Sequence, residues 1–255
     1  MAGSAAAPFD PRALAARLHS LHRAGKQAPT ASFSLPGDLH HAMDAQNFLA
    51  ADEGIASNAW KVTVSPDGQA VTAPLHPYVQ ADSGAQIPWH KGIKFEAEIA
   101  VRLGKDLPVR HNGSYTRAEL VDAIATVHLG AELLVSAIEE SGKDSFLLFL
   151  ADRLGNSGYV LGPTVAKSAI DTASGTPLKV TLNGQSIYEA PAQHPKGDVL
   201  TWLLAYANDG LRPDSSLKAG ALVTTGTLCG AIELEAPGTI EIVLDGETRL
   251  HLTVA

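Results

Sequence analysis

The sequence predicts a mixed α/β protein whose C-terminal half is rich in β-structure. Three observations carry this. First, Ile93 to Leu103 has the period of a strand: Ile93, Phe95, Ala97, Ile99, Val101 and Leu103 interleave with Lys94, Glu96, Glu98, Ala100 and Arg102. Second, short β-rich segments dominate after Tyr159, and Asn183-Gly184 and Asp245-Gly246 are dipeptides that close tight hairpins. Third, helical spacing of apolar residues is concentrated near the start of the chain.

Taken in order, residues 10 to 26 read as a helix, with Leu14, Leu18 and Leu21 at helical spacing and Pro11 in the first turn, where proline is tolerated. His19 and His22 lie three apart on it, a spacing open to a metal or to a solvated face. A second helix is expected over 38 to 53, stopping at Gly54. Ala59 to Val64 reads as a short strand, and 65 to 90, rich in Pro, Gly and Asp, as irregular or hairpin structure. Thr116, followed three residues later by Glu119, has the form of a capping box opening a helix to about Val127. Later strands are expected at 178–182, 221–225, 238–244 and 249–254, with a helix near Asp198 to Ala207.

With 255 residues, 45% hydrophobic and 18% charged, the chain can bury a substantial core. We divide it into an N-terminal helical region, 1–58, packed on the core, and a main domain, 59–255. A net charge of −8 offers nothing to a nucleic-acid backbone. Cys229 is the single cysteine, so neither an intrachain disulfide nor a cysteine zinc cluster can form. No apolar run reaches membrane-span length, and Met1 to Pro8 lacks the charged and apolar regions of a signal peptide. A cytoplasmic setting, with no membrane and no nucleic-acid partner, is the expectation.

Glu96 and Glu98, two apart on one strand, point to the same face, roughly 7 Å apart at the backbone. Two like charges there call for water or a hard cation such as Mg²⁺ or Mn²⁺ between them. The pair alone leaves a solvated face and a cation site both open. Glu132, within the apolar run Ala131 to Ile138, is costly to bury without a partner, or else lies at an edge. Lys61, inside Ala-Trp-Lys-Val, could have its pKa lowered by desolvation and serve as acid or base. Alternatively its stem packs while its head reaches water.

Several strings in order resemble one family. They are Phe95-Glu96-Ala97-Glu98-Ile99-Ala100, Leu103 to Leu107, Ala131-Glu132-Leu133-Leu134-Val135-Ser136 and Tyr159-Val160-Leu161-Gly162. His194-Pro195 leading into Trp202-Leu203-Leu204-Ala205, and Leu217-Lys218-Ala219-Gly220 leading into Thr224-Thr225-Gly226-Thr227, extend the series. From about residue 10 to 254 the chain is similar to the fumarylacetoacetate hydrolase superfamily, in its 2-hydroxypentadienoate (2-keto-4-pentenoate) hydratase and 4-oxalocrotonate decarboxylase branch. The resemblance implies a β-rich core of mixed, rolled sheet with peripheral helices. It implies Mg²⁺ or Mn²⁺ held by Glu96, Glu98 and Glu132, with Lys61 as proton carrier or carboxylate partner. Thr225, Gly226 and Thr227 match the family's Thr-Gly loop, where small residues let amides and a hydroxyl approach a substrate carboxylate.

The chain also departs from the family. Gln69-Ala70-Val71-Thr72-Ala73-Pro74 replaces a Pro-Asp-aromatic-Gly string, and Ala151-Asp152-Arg153-Leu154-Gly155 replaces Ala-Asp-Asn. Ala137 stands where an arginine is usual, and Thr63 where glycine is. His76 and His90, in the rewritten region, are candidates for a replacement proton carrier or are ordinary loop histidines. The implied activity is a metal-dependent lyase, hydrating a 2-hydroxy-2,4-dienoate or related 2-oxo acid through an enolate. The alternatives are a 2-oxo-3-ene-dioate decarboxylase, an acylpyruvate-type C–C hydrolase, or a non-catalytic partner subunit. A homo-oligomer and a pathway partner enzyme are further expectations of the resemblance.

Overall fold

The computed structural model describes residues 9–56, 58–81 and 84–255. Among the described residues six α-helices run in chain order as α1 (Pro11–Ala24), α2 (Leu39–Asp52), α3 (Arg117–Ala123), α4 (Phe146–Ala151), α5 (Ala169–Thr172) and α6 (Thr201–Ala207). The strands are β1 (Ala59–Val64), β2 (Ala70–Pro74), β3 (Tyr78–Gln80), β4 (Gln86–Ile87), β5 (Lys94–Leu103), β6 (Ile124–Leu134) and β7 (Asn156–Val165), then β8 (Pro177–Leu182), β9 (Gln185–Pro191), β10 (Leu222–Thr227), β11 (Ile232–Glu233), β12 (Gly238–Leu244) and β13 (Thr248–Val254). The fold is mixed α/β and β-rich.

The chain forms two compact units: residues up to Ala56 with Ser136–Gly155, and Ser57–Val135 with Asn156–Ala255. The sequence division at residue 58 treats 59–255 as one piece, whereas the contacts place Ser136–Gly155 in the helical unit.

In the helical unit, Asp10 caps α1 by accepting from the amides of Arg12 and Ala13, and Gly25 ends it in the left-handed conformation. Leu14, Leu18, Leu49, Ile138 and Leu148 form its core. Asp152, from the string that departs from the family, is fully buried here. It accepts from the Ser136 hydroxyl (2.6 Å) and the Ala137 amide (2.8 Å), and pairs with His22 (2.6 Å). His22 is thereby an internal partner of a carboxylate rather than half of a metal pair with His19.

The other unit carries both sheets. One has the order β2-β1-β10-β5-β6-β7-β3, with β11 added beside β5; the other has the order β4-β13-β12-β8-β9. Pairings are antiparallel except β1 with β10, β3 with β7 and β4 with β13. The odd residues of β5 (Phe95, Ala97, Ile99, Val101, Leu103) enter a core shared with Ile240, Ile242, Leu250 and Leu252 of the second sheet. The even residues face the opposite way, toward the site.

One helix ends earlier than its sequence indicates. The Thr116–Glu119 capping box is present, but α3 stops at Ala123 and the chain enters β6 at Ile124. Long-range pairing with β5 and β7 on either side overrides the local helical pattern. Both hairpin dipeptides form as expected, with Asn183, Gly184, Asp245 and Gly246 all at positive φ.

Candidate metal centre

The β5–β6 register places Glu96 directly opposite Glu132, and Glu98 opposite Gly130. All three carboxylates therefore share one face, each with an oxygen within 4.8 Å of the others. Glu98 is 1% exposed and Glu132 0%, while Glu96 is half-buried. The strand forms because its other face is wholly apolar, and the pleat then drives the glutamates together.

Neighbouring strands supply the partners. Lys61 of β1 lies opposite Thr224 of β10, and β10 pairs with β5. The Lys61 ammonium donates to Glu132 Oε1 at 2.7 Å. The Asn156 amide, at the start of β7, donates to the same oxygen at 2.8 Å, while its own Oδ1 accepts the His76 amide at 2.7 Å. Thr224 Oγ1 donates to Glu98 Oε2. Glu132 Oε2 is buried with no hydrogen-bond partner. So is the hydroxyl of Tyr159, which lies across from Glu132 and over Gly130, where a Cβ would come within 2.0 Å of it.

One ammonium faces three carboxylates. Burial, then the charge of Glu132, raise the pKa of Glu96 to about 7; Lys61 and Lys94 oppose them. Glu98 is pushed well above the usual carboxylate range by burial, Glu132 and Glu96. Burial pulls Lys61 down, but Glu132, Glu96 and Glu98 together outweigh it and hold its pKa above the ordinary value. The sequence raised the prospect of a lysine whose pKa is lowered by desolvation so that it serves as acid or base; the structure reverses the direction, and Lys61 is an ammonium at neutral pH. Burial, followed by Glu98 and Glu132, keeps Tyr159 protonated. The Cys229 thiol, raised to about 11 by burial, offers no thiolate.

These residues fit a divalent cation. The donors are carboxylate oxygens, suited to a hard ion. Were all three carboxylates ionised, the one ammonium would leave two negative charges uncompensated, which a divalent ion would balance. A buried carboxylate oxygen is left without a donor.

The Thr-Gly loop lies at the end of β10, where the register with β5 shifts between Thr224 and Thr227. The Thr225 hydroxyl donates to the Ile99 carbonyl (2.8 Å), and Thr227 Oγ1 to Gly230 (3.1 Å). The hydroxyl that reaches the carboxylates is that of Thr224. Gly226 has φ +109°, and a Cβ there would lie 2.3 Å from the Trp202 ring and 3.0 Å from His194 Nε2. Neither His76 nor His90 belongs to the carboxylate cluster. His76 contributes its backbone amide, through Asn156. Thr224, Asn156 and Tyr159 did not stand out as site residues in the sequence: Thr224 and Tyr159 appeared only inside family strings, and Asn156 had no signal.

A separate cavity of about 650 Å³ is lined by Arg102, Thr126, His128, Arg249 and His251 among others, and does not include the carboxylates. Its basic side chains already have partners. Arg249 and His251 share Glu241, and Arg102 donates to Gly220 and Tyr78.

Comparison with known proteins agrees with this fold. The chain is 28% identical over 155 residues to a 2-keto-4-pentenoate hydratase of Paraburkholderia phymatum, an alignment covering 60% of this chain and 57% of that protein. The match thus spans under two thirds of the relative's length. A 4-oxalocrotonate decarboxylase from Pseudomonas putida, solved with magnesium and adipate, superposes with a TM-score of 0.72 at 16% identity, covering 97% of this chain and 99% of that one. A 2-hydroxyhepta-2,4-diene-1,7-dioate isomerase from Mycobacterium marinum superposes with a TM-score of 0.51 at 20% identity, covering 77% and 73%. The fumarylacetoacetate hydrolase C-terminal family matches residues 39–255, so with its β-rich mixed sheets and clustered glutamates the chain belongs to that family.

Proposed function

We propose that the chain is a Mg²⁺- or Mn²⁺-dependent hydratase, a lyase that adds water to a 2-hydroxy-2,4-dienoate or a related 2-oxo acid. The observation that carries this reading is the Lys61–Glu132 pair, 2.7 Å long, set within a cluster of three buried or half-buried carboxylates. Glu96, Glu98 and Glu132 would hold the cation. When bound, it would supply Lewis acidity to the carboxylate and C2 oxygens of the substrate and so favour enolisation.

The chain's own residues do the rest. Lys61 enters as an ammonium, so Nζ gives a proton to the dienol carbon during ketonisation before it takes one back. Glu132 fixes where that nitrogen stands. Gly226 lets the backbone of the Thr225-Gly226-Thr227 loop approach a substrate carboxylate without a side chain in the way. Water then adds to the distal double bond, giving a 4-hydroxy-2-oxo acid.

Proton NMR in deuterated buffer tests this reading. A 2-oxo acid should lose its C3 proton signal faster with enzyme and Mg²⁺ than with chelator, and Lys61→Met should slow that loss by about a hundredfold or more, the scale of a positioned acid–base group. Incubation with a 2-hydroxydienoate should yield the 4-hydroxy-2-oxo acid. Carbon dioxide release would instead assign a decarboxylase, and pyruvate released from an acylpyruvate a C–C hydrolase. Exchange at the enzyme-free rate for short and long 2-oxo acids alike would leave a non-catalytic partner subunit.

A further inference from the structure

We infer that Asn156 and Thr224 are positioning residues that direct Glu132 and Glu98 to offer a cation one oxygen each, and so set the site's preference for a small divalent cation over a large one. The inference rests on the reading that the three carboxylates hold a divalent ion. It concerns which ion they favour and which residues impose that choice.

Each carboxylate oxygen has two lone pairs in the carboxylate plane. On Glu132, Oε1 receives Lys61 Nζ at 2.7 Å and Asn156 Nδ2 at 2.8 Å, so both of its acceptor positions are filled. Oε2 receives none and is buried. On Glu98, Thr224 Oγ1 fills one of the two acceptor positions of Oε2 and leaves Oε1 the freer oxygen. Neither donor can turn away easily. Asn156 is fully buried, and the His76 amide bonded to its Oδ1 fixes which end of the side chain faces Glu132. Thr224 is 1% exposed, on a strand paired on both sides.

Mg²⁺ is bound through single carboxylate oxygens at short distance and keeps several waters. Ca²⁺ takes more oxygens, commonly both from one carboxylate. A site in which one carboxylate has an oxygen fully taken and a second has one oxygen half taken suits the first ion and penalises the second. Among the described residues no side chain hydrogen-bonds Glu96, which therefore keeps both oxygens and does not discriminate.

The test is calorimetric titration of metal-free protein with MgCl₂ and with CaCl₂, for wild type, Thr224→Val, Thr224→Ser and Asn156→Leu. Melting of each metal-free variant is measured alongside, to show that it folds. Valine keeps the shape of threonine and removes the donor; serine restores the hydroxyl. Thr224→Val and Asn156→Leu should each lose about tenfold in Mg²⁺ affinity, as expected for an outer-shell partner, while Ca²⁺ affinity changes less than about threefold. Thr224→Ser should regain the wild-type preference. Equal weakening of both ions, or an unchanged preference, overturns the inference and assigns both residues a packing role. Wild type that binds neither ion overturns the cation reading itself.

Discussion

Glu98 shows most directly how the site sets stability against function. It is 1% exposed, and burial, Glu132 and Glu96 all raise its pKa. A folded-state pKa above the unfolded one means that stability is fully present below the unfolded value of about 4.3 and is lost as pH rises through the folded value. In metal-free protein at neutral pH this carboxyl is therefore a liability. Glu98→Gln keeps the shape and the Thr224 contact but removes the charge. It should stabilise the metal-free protein at pH 7.5 by about 1–3 kcal/mol, the scale of relieving an uncompensated buried group. At pH 3, where the carboxyl is protonated folded or unfolded, the gain should vanish. The same variant should lose Mg²⁺ affinity by at least about a hundredfold, since even outer-shell changes cost 10–100-fold. Denaturant midpoints at the two pH values and calorimetry together decide it; a metal-free variant less stable than wild type at pH 7.5 sinks the argument. At this scale the sequence was most legible where chemistry stood out against pattern, as with Glu96 and Glu98 on a strand whose other face is wholly apolar and Glu132 in an apolar run. It was silent on Asn156, because an asparagine after a glycine reads as a turn residue until the chain places it against Glu132.

Elements were legible where local pattern and tertiary pairing agreed. The alternation of 93–103 became β5 (Lys94–Leu103), and Leu14, Leu18 and Leu21 lie on one helix, α1. They were not legible where pairing overrode the local signal, as at β6, or where a bulge set the geometry. The β10 bulge shows why. Its form depends on His194 and Trp202, more than twenty residues earlier in the chain, which pack against Gly226 with ring centroids 5.0 Å apart. The Lys196 amide donates to His194 Nδ1 (3.2 Å), so Nε2 carries the proton and donates to the Thr225 carbonyl (2.8 Å). Protonating Nδ1 would break the first of these bonds. The pKa of His194 is lowered, chiefly by burial, against the opposing pull of the Thr225 carbonyl and of Asp198. A depressed pKa contributes stability above the unfolded value of about 6.5 and loses it as pH falls through the folded value. His194→Gln can still donate to Thr225 but cannot titrate. Its denaturant midpoint should therefore fall less than that of wild type between pH 7.5 and 5.5. His128, also lowered by burial, keeps a residual slope in both proteins. Identical slopes would show that His194 is not the group responsible.

For the whole molecule, the decisive quantity is the coupling between cation binding and folding. The site is assembled from β1, β5, β6, β7 and β10, strands that are far apart in sequence and adjacent only in the folded sheet. An unfolded chain cannot offer the three carboxylates together, so a cation held by them would bind the native state almost alone and would stabilise it by mass action. At a concentration of one hundred times Kd this amounts to about 2.7 kcal/mol. For a protein of this size each kcal/mol moves the midpoint by roughly 2–4 °C, which gives a rise of about 5–10 °C. Because the chain has two compact units, a single melting temperature need not describe it. The tryptophans resolve this, since Trp60, Trp89 and Trp202, the three in the chain, all belong to the unit that carries the sheets. Tryptophan fluorescence should therefore show the Mg²⁺-dependent rise, chelator should remove it, and NaCl at matched ionic strength should not reproduce it. Far-ultraviolet circular dichroism draws more of its helical signal from α1, α2 and α4 of the other unit and serves as the reference. A fluorescence midpoint that ignores millimolar Mg²⁺, or that NaCl shifts equally, would mean that the clustered glutamates form no cation site. The uncompensated charge of Glu96, Glu98 and Glu132 would then have to be relieved by protonation alone.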